Sequence, residues 1–344
     1  MATTSTSESG PKTGQKVWFI TGTSSGFGYH IVTHALAKGD LVIATGRDTE
    51  KLHALFFEPP PSEPADANAP ITGAPVRVEL SHPENLRIMK LDVTASFETI
   101  QGVAKDAVDI WGRVDVLVNN AGYGVLGIIE EIGPEGFQRQ YATNLFGLIH
   151  VTTAFLPHLR LARRGSIIQI GSRLAWHADS PGDSLYASSK AAVHAFSESL
   201  AAEMRPFGVQ VCIFQPGGFL TRNTATAPFY DKNPIEDYRE MREKGLQGRR
   251  ETPGKFVGDP GKCMGFLVDL VRGEGKAGVH LREKMRKEGK REREDGEVEL
   301  PMHLVCGPFA NESVRRKLVM MEEVLGEWEW ATKEMIMDGR VYDP

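Results

Sequence analysis

The chain has 344 residues, of which 41% are hydrophobic and 25% are charged, and its formal net charge is −5. This composition is typical of a soluble globular protein with one large domain or two modest ones. The acidic balance argues against a protein that mainly binds nucleic acid. Three widely spaced cysteines without a CxxC pair argue against a disulfide framework and against a zinc site.

Residues 1–14 are polar and contain no hydrophobic signal core, so we expect a disordered tail and a cytoplasmic protein. No uninterrupted apolar run approaches the ~20 residues that a membrane span needs. We therefore expect neither a membrane span nor a metal site.

Regular structure is predicted to begin with a short apolar strand at 16–21, which stops at Gly22. A helical spacing follows at 29–39, and a second strand is predicted at 41–45. Together these segments form a strand–turn–helix–strand unit, whose crossover is right-handed in nearly all proteins. Residues 58–86 then interrupt the pattern, because they are rich in Pro, Ala and Ser and lack periodicity. They predict a flexible surface insertion.

Strands and helices alternate after this insertion. Strands are predicted at 87–91, 114–120, 166–170 and 209–214, and helices at 96–112, 134–161 and 184–204. The alternation predicts a single α/β domain over 15–280, with a doubly wound parallel sheet and helices on both faces. Ligands of such sheets bind at the carboxyl ends of the strands.

The pattern loosens beyond Gly217, where residues 221–234 have the composition of a loop that could cover a site. The charged run at 281–300 is predicted to be a solvated insertion or helix, with a patch for a partner or a membrane surface as the alternative. Residues 301–344 are predicted to extend the same domain by a strand and a helix, because 312–330 have helical periodicity.

The stretch TGTSSGFG lies between the first strand and the first helix and predicts a phosphate-binding turn. Glycines there let the backbone approach a pyrophosphate, and the amides at the helix N-terminus face its charge. The spacing TGxxxGxG differs from the common GxGxxG fingerprint, and a glycine-rich turn without a ligand is the alternative. The predicted cofactor contacts in this turn are Gly22, Ser24, Ser25, Gly26, Phe27 and Gly28.

The end of the second strand predicts which nicotinamide cofactor binds. An acidic residue there would bond the adenosine ribose and repel a 2′-phosphate. Arg47 stands there instead, and its fork of donors suits that phosphate, so NADP(H) is predicted. Pairing of Arg47 with the adjacent Asp48 is the alternative.

Two further strand ends carry predicted cofactor contacts. Asp92 follows the third strand and is placed to hydrogen-bond an adenine amine. Asn120, Ala121 and Gly122 follow the fourth strand, where small residues let the backbone lie against a flat ring system.

Tyr186 and Lys190 are four residues apart, so on a helix both side chains lie on one face. A phenol has a pKa near ~10 in water, and a neighbouring ammonium lowers that pKa by favouring the phenolate. Hydride transfer to a carbonyl needs such a group to deliver the proton. An ordinary exposed pair is the alternative for these two residues taken alone.

Two polar residues accompany this pair. Ser172 ends the fifth strand, where its hydroxyl could hold a substrate oxygen beside the phenol or serve as a turn residue. Asn144 interrupts a helical stretch, where it could hold a water that connects Lys190 to solvent or could simply face solvent.

These motifs in this order, together with PG at 216–217, resemble the short-chain dehydrogenase/reductase family over about residues 15–225. The stretches NNAGYGVLGIIEEI, FLPHLR and QPGGFLTR are similar to its NADP-dependent branch. That branch includes 17β-hydroxysteroid and retinol dehydrogenases and carbonyl reductases, and it prefers arginine where Arg47 stands. The resemblance implies a Rossmann fold with seven parallel strands.

The resemblance also implies roles for individual residues. Tyr186 would be the acid/base, Lys190 would lower its pKa and bind the nicotinamide ribose, Ser172 would orient the substrate, and Asn144 would belong to the proton relay. The implied contacts at the nicotinamide end are Pro216, Gly217, Phe219 and Thr221. Members often form homodimers or homotetramers through the helices that here carry 134–161 and 186–204, so either assembly is expected.

The expected function is an NADP(H)-dependent oxidoreductase that interconverts a carbonyl and a secondary alcohol. We expect a ketone reductase that acts on a hydrophobic or secondary-metabolite-type small molecule. Two alternatives stay open, a catalytically silent NADP-sensing regulator and an epimerase or dehydratase with a tightly held cofactor. Trp176 and His177 lie in the segment 173–185 that borders the expected substrate, and packing or exposure would explain them equally well.

Overall fold

Parallel strands form the centre of the molecule. We describe a computed structural model over residues 10–59, 77–176, 180–222, 228–230, 232–290, 297–307 and 309–335. Its strands are β1 (Val17–Ile20), β2 (Leu41–Gly46), β3 (Leu86–Lys90), β4 (Val116–Asn119), β5 (Ser166–Ile170), β6 (Gln210–Pro216) and β7 (His303–Cys306). Within these described residues they form one seven-stranded sheet in the order β3-β2-β1-β4-β5-β6-β7. Every neighbouring pair is parallel, which confirms the predicted Rossmann architecture.

Helices cover both faces of this sheet. They are α1 (Gly26–Ala37), α2 (Thr49–Phe57), α3 (Phe97–Trp111), α4 (Ile129–Tyr141), α5 (Leu148–Ala162), α6 (Ser184–Met204), α7 (Arg239–Lys255), α8 (Pro260–Arg272), α9 (Gly275–Lys287) and α10 (Ala310–Glu334). A π-helical turn, Ala142–Gly147, joins α4 to α5. Short 3₁₀ turns lie at Pro83–Asn85, Arg173–Ala175, Arg205–Phe207 and Glu236–Tyr238.

The core consists of two layers, one on each face of the sheet. Successive strand side chains point to opposite faces. In β1, Trp18 and Ile20 therefore join the layer under α1 and α8, while Val17 and Phe19 join the layer under α3 and α5. All four β1 residues are fully buried, as expected for a parallel strand that helices cover on both sides.

The chain reverses its strand order between β1 and β4. β1 pairs with β2 on one side and with β4 on the other, so the connections on its two sides run in opposite directions. This switch point opens a crevice at the carboxyl ends of the strands, where doubly wound sheets bind their ligands.

The helical stretch Ile129–Ala162 is, within the described residues, the one long and apolar enough to cross a membrane by length and composition. Its backbone leaves helical geometry at Gly133, and the π turn interrupts it again. Its α5 part buries Val151, Phe155 and Leu159 in the layer under α3. We therefore assign this stretch to the helices that pack on the sheet, because buried core helices can have the same length and apolar composition as a membrane span.

The two predicted insertions fall only partly within the described residues. Residues 60–76 of the first lie outside the described residues, but Val78 beyond them donates its N–H to the Tyr29 hydroxyl (3.0 Å). The charged segment 281–300 begins inside α9, where Leu281 and Met285 are buried. Its first turns therefore pack against the core, and its residues 291–296 lie outside the described residues.

Candidate active site

A cavity of about 1300 Å³ lies at the carboxyl ends of β1 to β6. It brings together all the predicted site residues except Gly28 and Asn144. The predicted residues that line it are Gly22, Ser24, Ser25, Gly26, Phe27, Arg47, Asp92, Asn120, Ala121, Gly122, Ser172, Tyr186, Lys190, Pro216, Gly217, Phe219 and Thr221. Pockets for one drug-sized ligand are usually about 300–1,000 Å³, so this cavity has room for a cofactor together with a substrate.

The glycine turn forms one wall of the cavity and has the backbone that an anion site needs. Gly22 has a φ of +70°, and a Cβ there would lie 2.8 Å from the Ala121 Cα. Gly26 also has a positive φ, +56°. Ser25, the residue before α1, makes no side-chain cap, so the first N–H groups of α1 remain available to a phosphate.

Gly28 lies behind this turn and acts through packing. A Cβ at Gly28 would lie 2.4 Å from the Gly22 carbonyl oxygen and 2.6 Å from the Asn120 side-chain nitrogen. The Asn120 amide donates to the carbonyls of Thr21 and Gly22, both at 2.9 Å. The absence of a side chain at Gly28 lets α1 approach the turn, and Asn120 fixes the turn to β4.

Arg47 is an exposed cation at the rim of the cavity. The adjacent Asp48 uses its carboxylate to cap α2, where it accepts the Lys51 N–H (2.9 Å). Asp92 accepts the N–H of Thr94 (2.9 Å) and its hydroxyl (2.7 Å). These hydrogen bonds, the backbone one first, lower the pKa of Asp92, and the Arg47 charge lowers it further.

The segment after β6 folds back over the glycine turn. The Phe219 ring meets the Phe27 ring edge-on, with 5.7 Å between centroids. Thr221 is buried and lies across from Gly26. A Cβ built at Gly26 would lie 3.5 Å from the Thr221 Cβ. The residues predicted for the nicotinamide end and those predicted for the phosphates therefore border the same space.

Ser172, Tyr186 and Lys190 meet on the opposite wall. The Ser172 hydroxyl lies beside the Tyr186 phenol, close enough to lower the pKa of that phenol. One turn along α6, the buried Lys190 ammonium lies 5.9 Å from the centroid of the Tyr186 ring and donates to the Ile170 carbonyl (2.7 Å). The predicted shared face of Tyr186 and Lys190 is therefore present.

The pKa values at this wall differ from the expectation. Burial raises the pKa of Tyr186 above its ordinary value, against smaller lowering effects of the Ser172 hydroxyl and the Arg173 charge. Burial also lowers the pKa of Lys190 to about 8. The Lys190 ammonium lies over the Tyr186 ring, so a phenolate formed at Tyr186 would have a cation close by.

Comparison with known proteins decides the family. The family model described as short chain dehydrogenase matches residues 73–229. Oxidoreductase BOA17 of Botryotinia fuckeliana is 32% identical over 297 residues, which is 86% of this chain and 90% of that protein. The chain belongs to the short-chain dehydrogenase/reductase family.

Solved structures of this family agree with the architecture. A short-chain dehydrogenase from Streptomyces avermitilis is 30% identical, with a TM-score of 0.71 over 94% of this chain and all of that one. The closed form of a serine dehydrogenase complexed with NADP+ is 26% identical, with a TM-score of 0.53 over 72% of this chain and 86% of that one.

Asn144 occupies the π turn of this short-chain dehydrogenase and is buried. Its side-chain oxygen accepts the Tyr123 N–H (3.0 Å), and its side-chain nitrogen donates to the Tyr123 carbonyl (2.9 Å) and the Ser189 hydroxyl (3.1 Å). The alternative of a solvent-facing asparagine is therefore wrong. Its amide joins the π turn to α6 and to the loop after β4, beside the cavity.

Sequence reasoning missed Arg173 and His194. Arg173 lines the cavity and is the nearby charge that acts on Tyr186. The Ser172 N–H donates to His194 Nε2 (3.4 Å), and burial first, then the charges of His303 and Lys190, lowers the pKa of His194 to about 4. The signals were present, because Arg173 follows Ser172 directly and His194 lies one helical turn beyond Lys190.

A packed aromatic cluster supports Ser172 from behind. The Trp176 indole donates to the Gln215 side chain, and Gln215 in turn contacts His303 Nδ1 (2.8 Å). The Trp176 ring lies 6.2 Å from the His194 ring and 5.8 Å from the His303 ring. Of the two interpretations of Trp176, the structure favours packing, while His177 lies outside the described residues.

Proposed function

We propose that this protein is an NADP(H)-dependent oxidoreductase that interconverts a ketone and a secondary alcohol. The observation that carries the proposal is the placement of Ser172 beside Tyr186, with Lys190 one turn away, on the wall of a cavity that also contains the glycine turn. A proton donor, a hydroxyl that can orient an oxygen, and a phosphate-binding turn are the parts that hydride transfer requires.

The residues present fit a dinucleotide. The close approach of Gly22 to Ala121 and the uncapped start of α1 support a pyrophosphate at the turn. Structures of this fold hold either NADP+ or NAD+, so the end of β2 has to decide between them. Arg47 at the rim, with Asp48 engaged as a helix cap, supports the 2′-phosphate of NADP(H).

The protein's own groups account for the proton chemistry. A bound nicotinamide supplies the hydride in the reducing direction. The Ser172 hydroxyl holds the substrate oxygen beside the phenol. Tyr186, whose pKa is raised by burial, is protonated at neutral pH and donates its O–H proton to the oxygen as negative charge develops there. The Lys190 ammonium stabilises the resulting phenolate, and the reverse sequence oxidises an alcohol.

The cavity lining supports a hydrophobic substrate. Its lining includes charged side chains, among them Arg173, Lys244 and Lys255. It also includes apolar side chains from the loop after β4, the 3₁₀ turn Arg173–Ala175, the segment at Phe229, α7 and the residue after α7. These apolar side chains are Leu126, Leu174, Phe229, Met241 and Phe256. A ketone with an apolar body would bury its hydrocarbon against them and present its oxygen to Tyr186.

The cofactor is tested by kinetics with a panel of ketones and alcohols that includes steroids, retinoids, quinones and aromatic polyketides. NADPH should have a much lower KM than NADH. Arg47→Ala should raise the KM for NADPH roughly 10- to 100-fold, the value of a charge-assisted hydrogen bond, and leave the KM for NADH nearly unchanged. A clear preference for NADH in the wild-type protein would overturn the NADP(H) assignment.

A further inference from the structure

The C-terminal helix α10 leaves the body of the protein after its first turn. Ala310 is buried, and Arg173 donates to the Ser313 hydroxyl (3.1 Å), which anchors the start of the helix. From Leu318 to Trp330 every residue is exposed. The helix has 25 residues, about 37 Å at 1.5 Å per residue, so more than half of its length projects into solvent.

The projecting part carries an apolar stripe. Its apolar residues are Val314, Leu318, Met321, Leu325, Trp328 and Met335. They follow one another at alternating spacings of four and three residues, with the polar Thr332 at the one position of this pattern that is not apolar. Leu325 is 63% exposed, Trp328 54% and Met335 81%. This spacing is the a/d pattern of a coiled-coil seam, in which each apolar side chain expects a facing helix.

The charges along α10 are divided between its two halves. The first half is basic on balance, because it carries Arg315, Arg316 and Lys317 against Glu312. The second half is acidic on balance, because it carries Glu322, Glu323, Glu327, Glu329 and Glu334 against Lys333. A second α10 that runs antiparallel places its acidic half against the basic half of the first. A parallel copy would place like charges together, which is destabilising.

We propose that α10 is an interaction surface for a second copy of this chain, bound as an antiparallel coiled coil along the stripe from Val314 to Met335. A second copy presents the same stripe, so a two-fold contact packs its central members from Leu318 to Trp328 against each other. An isolated helix of this length is marginal in water and gains most of its stability from packing of its apolar face. This contact is independent of the proposed enzymatic function.

A membrane surface fits the helix less well than a second copy. Anionic bilayers attract clustered Lys and Arg. The end of α10 that carries the tryptophans is the acidic half, so the bilayer would repel that end. The charge distribution is complementary to a copy of itself.

The antiparallel register can be specified. An a position packs beside a d position of the facing helix, so Leu325 lies beside the partner's Met321 and the two-fold axis passes near residue 323. Val324 is then next to its own copy across the axis. Leu318 is five residues from the axis, about 15 Å from its own copy.

The first test measures the mass of the full-length protein in solution by sedimentation velocity. Leu325→Glu should halve the number of chains in the assembly at micromolar concentration. Val319→Glu, a matched change of an exposed residue on the opposite face of the same helix, should leave it unchanged. Equal masses for both variants and the wild type would overturn the proposal.

The second test uses disulfide cross-linking of the full chain with a copper–phenanthroline oxidant. Val324→Cys should give a covalent dimer and Leu318→Cys should not, with the wild type as background for the three native cysteines. Cross-linking of Leu318→Cys alone would mean a parallel pair and would contradict the register. Binding of the wild type, but not of Leu325→Glu, to phosphatidylserine vesicles without any change of mass would overturn the second copy in favour of a membrane. Since Leu325 lies outside the core, cooperative thermal unfolding of Leu325→Glu confirms that the domain is intact.

Discussion

Tyr186 is protonated at neutral pH, as any phenol with an ordinary pKa of about 10 is, and burial raises its pKa further against the smaller lowering effects of the Ser172 hydroxyl and the Arg173 charge. In the proposed mechanism a protonated phenol donates to the developing alkoxide, which is the role of Tyr186 in the reducing direction. In the oxidising direction the same phenol must first lose its proton. The proposed mechanism therefore requires a different protonation state of Tyr186 for each direction of the reaction.

Burial shifts the pKa of Lys190 in the opposite direction. The ammonium group is buried, and its pKa is lowered to about 8. A lysine has its ordinary pKa of about 10.4 in the unfolded chain. The folded state is therefore disfavoured below pH 8, where the buried group is charged. That cost is relieved as the pH rises from 8 toward the unfolded pKa, because the folded protein has then lost a proton that the unfolded chain keeps.

This linkage predicts the behaviour of Lys190→Met, which removes the titration. We compare the free energy of unfolding of the variant with that of the wild type. The variant value minus the wild-type value should fall by about 2 kcal/mol between pH 7.5 and 9.5, because the wild type is stabilised over this range. The lost hydrogen bond to Ile170 shifts all the values equally and does not affect this slope. Urea denaturation at several pH values measures it, and a difference independent of pH would show that Lys190 is not desolvated as described.

Secondary-structure elements position Tyr186, Lys190 and Asn144, and the sequence predicted these elements only in part. The helix that carries Tyr186 and Lys190 was predicted at 184–204 and is α6, Ser184–Met204. The break in the long helix was visible as Asn144, but its form as a π turn was not. It depends on contacts with Tyr123 and Ser189, which are distant in the chain and have no local pattern.

The glycine turn illustrates the same limit. The stretch TGTSSGFG predicted a phosphate-binding turn, but the spacing alone assigned Gly28 the same direct role as Gly22. The structure separates them, because Gly28 is packed against the Gly22 carbonyl and does not line the cavity. Only the approach of α1 to the turn reveals this difference.

Gly28→Ala tests this packing role. A Cβ 2.4 Å from a backbone carbonyl forces α1 away from the turn, so the free energy of unfolding should fall by about 1–3 kcal/mol and NADPH should bind more weakly. Gly102→Ala is the matched control in α3, where a Cβ meets nothing within 4 Å. It should stabilise the protein by about 0.5–1 kcal/mol. Thermal denaturation and NADPH fluorescence titration compare them, and equal effects of the two changes would contradict the account.

At the scale of the whole molecule, the alternation of apolar strands and helices predicted the parallel sheet, because a strand buried on both faces gives a continuous apolar run. β7 is different, since its residues are only half-buried and it follows a long stretch after β6. The extension was predicted to contain a strand, but the segment α7–α9 that precedes it was not resolved into helices. Its charged surface residues conceal the apolar positions, such as Leu281 and Met285, that pack it on the core.

The positions of the charged residues in the cavity also depend on the fold of the whole molecule. Arg47 and Arg173 come from separate strands and converge only because the carboxyl ends of β2 and β5 open into one space. Arg47 could be predicted because it follows a strand end directly. Arg173 was overlooked, because its relation to Tyr186 depends on α6 returning to the end of β5.

The most direct test of the account is the Tyr186→Phe variant, assayed for NADPH binding and for turnover of any ketone that the wild-type protein reduces. The change removes one hydroxyl and keeps the ring, so NADPH fluorescence should titrate with nearly the wild-type Kd. Turnover should fall by at least about 100-fold, the usual contribution of a general acid. If the variant keeps wild-type turnover, Tyr186 is not the proton donor and the proposed mechanism is wrong.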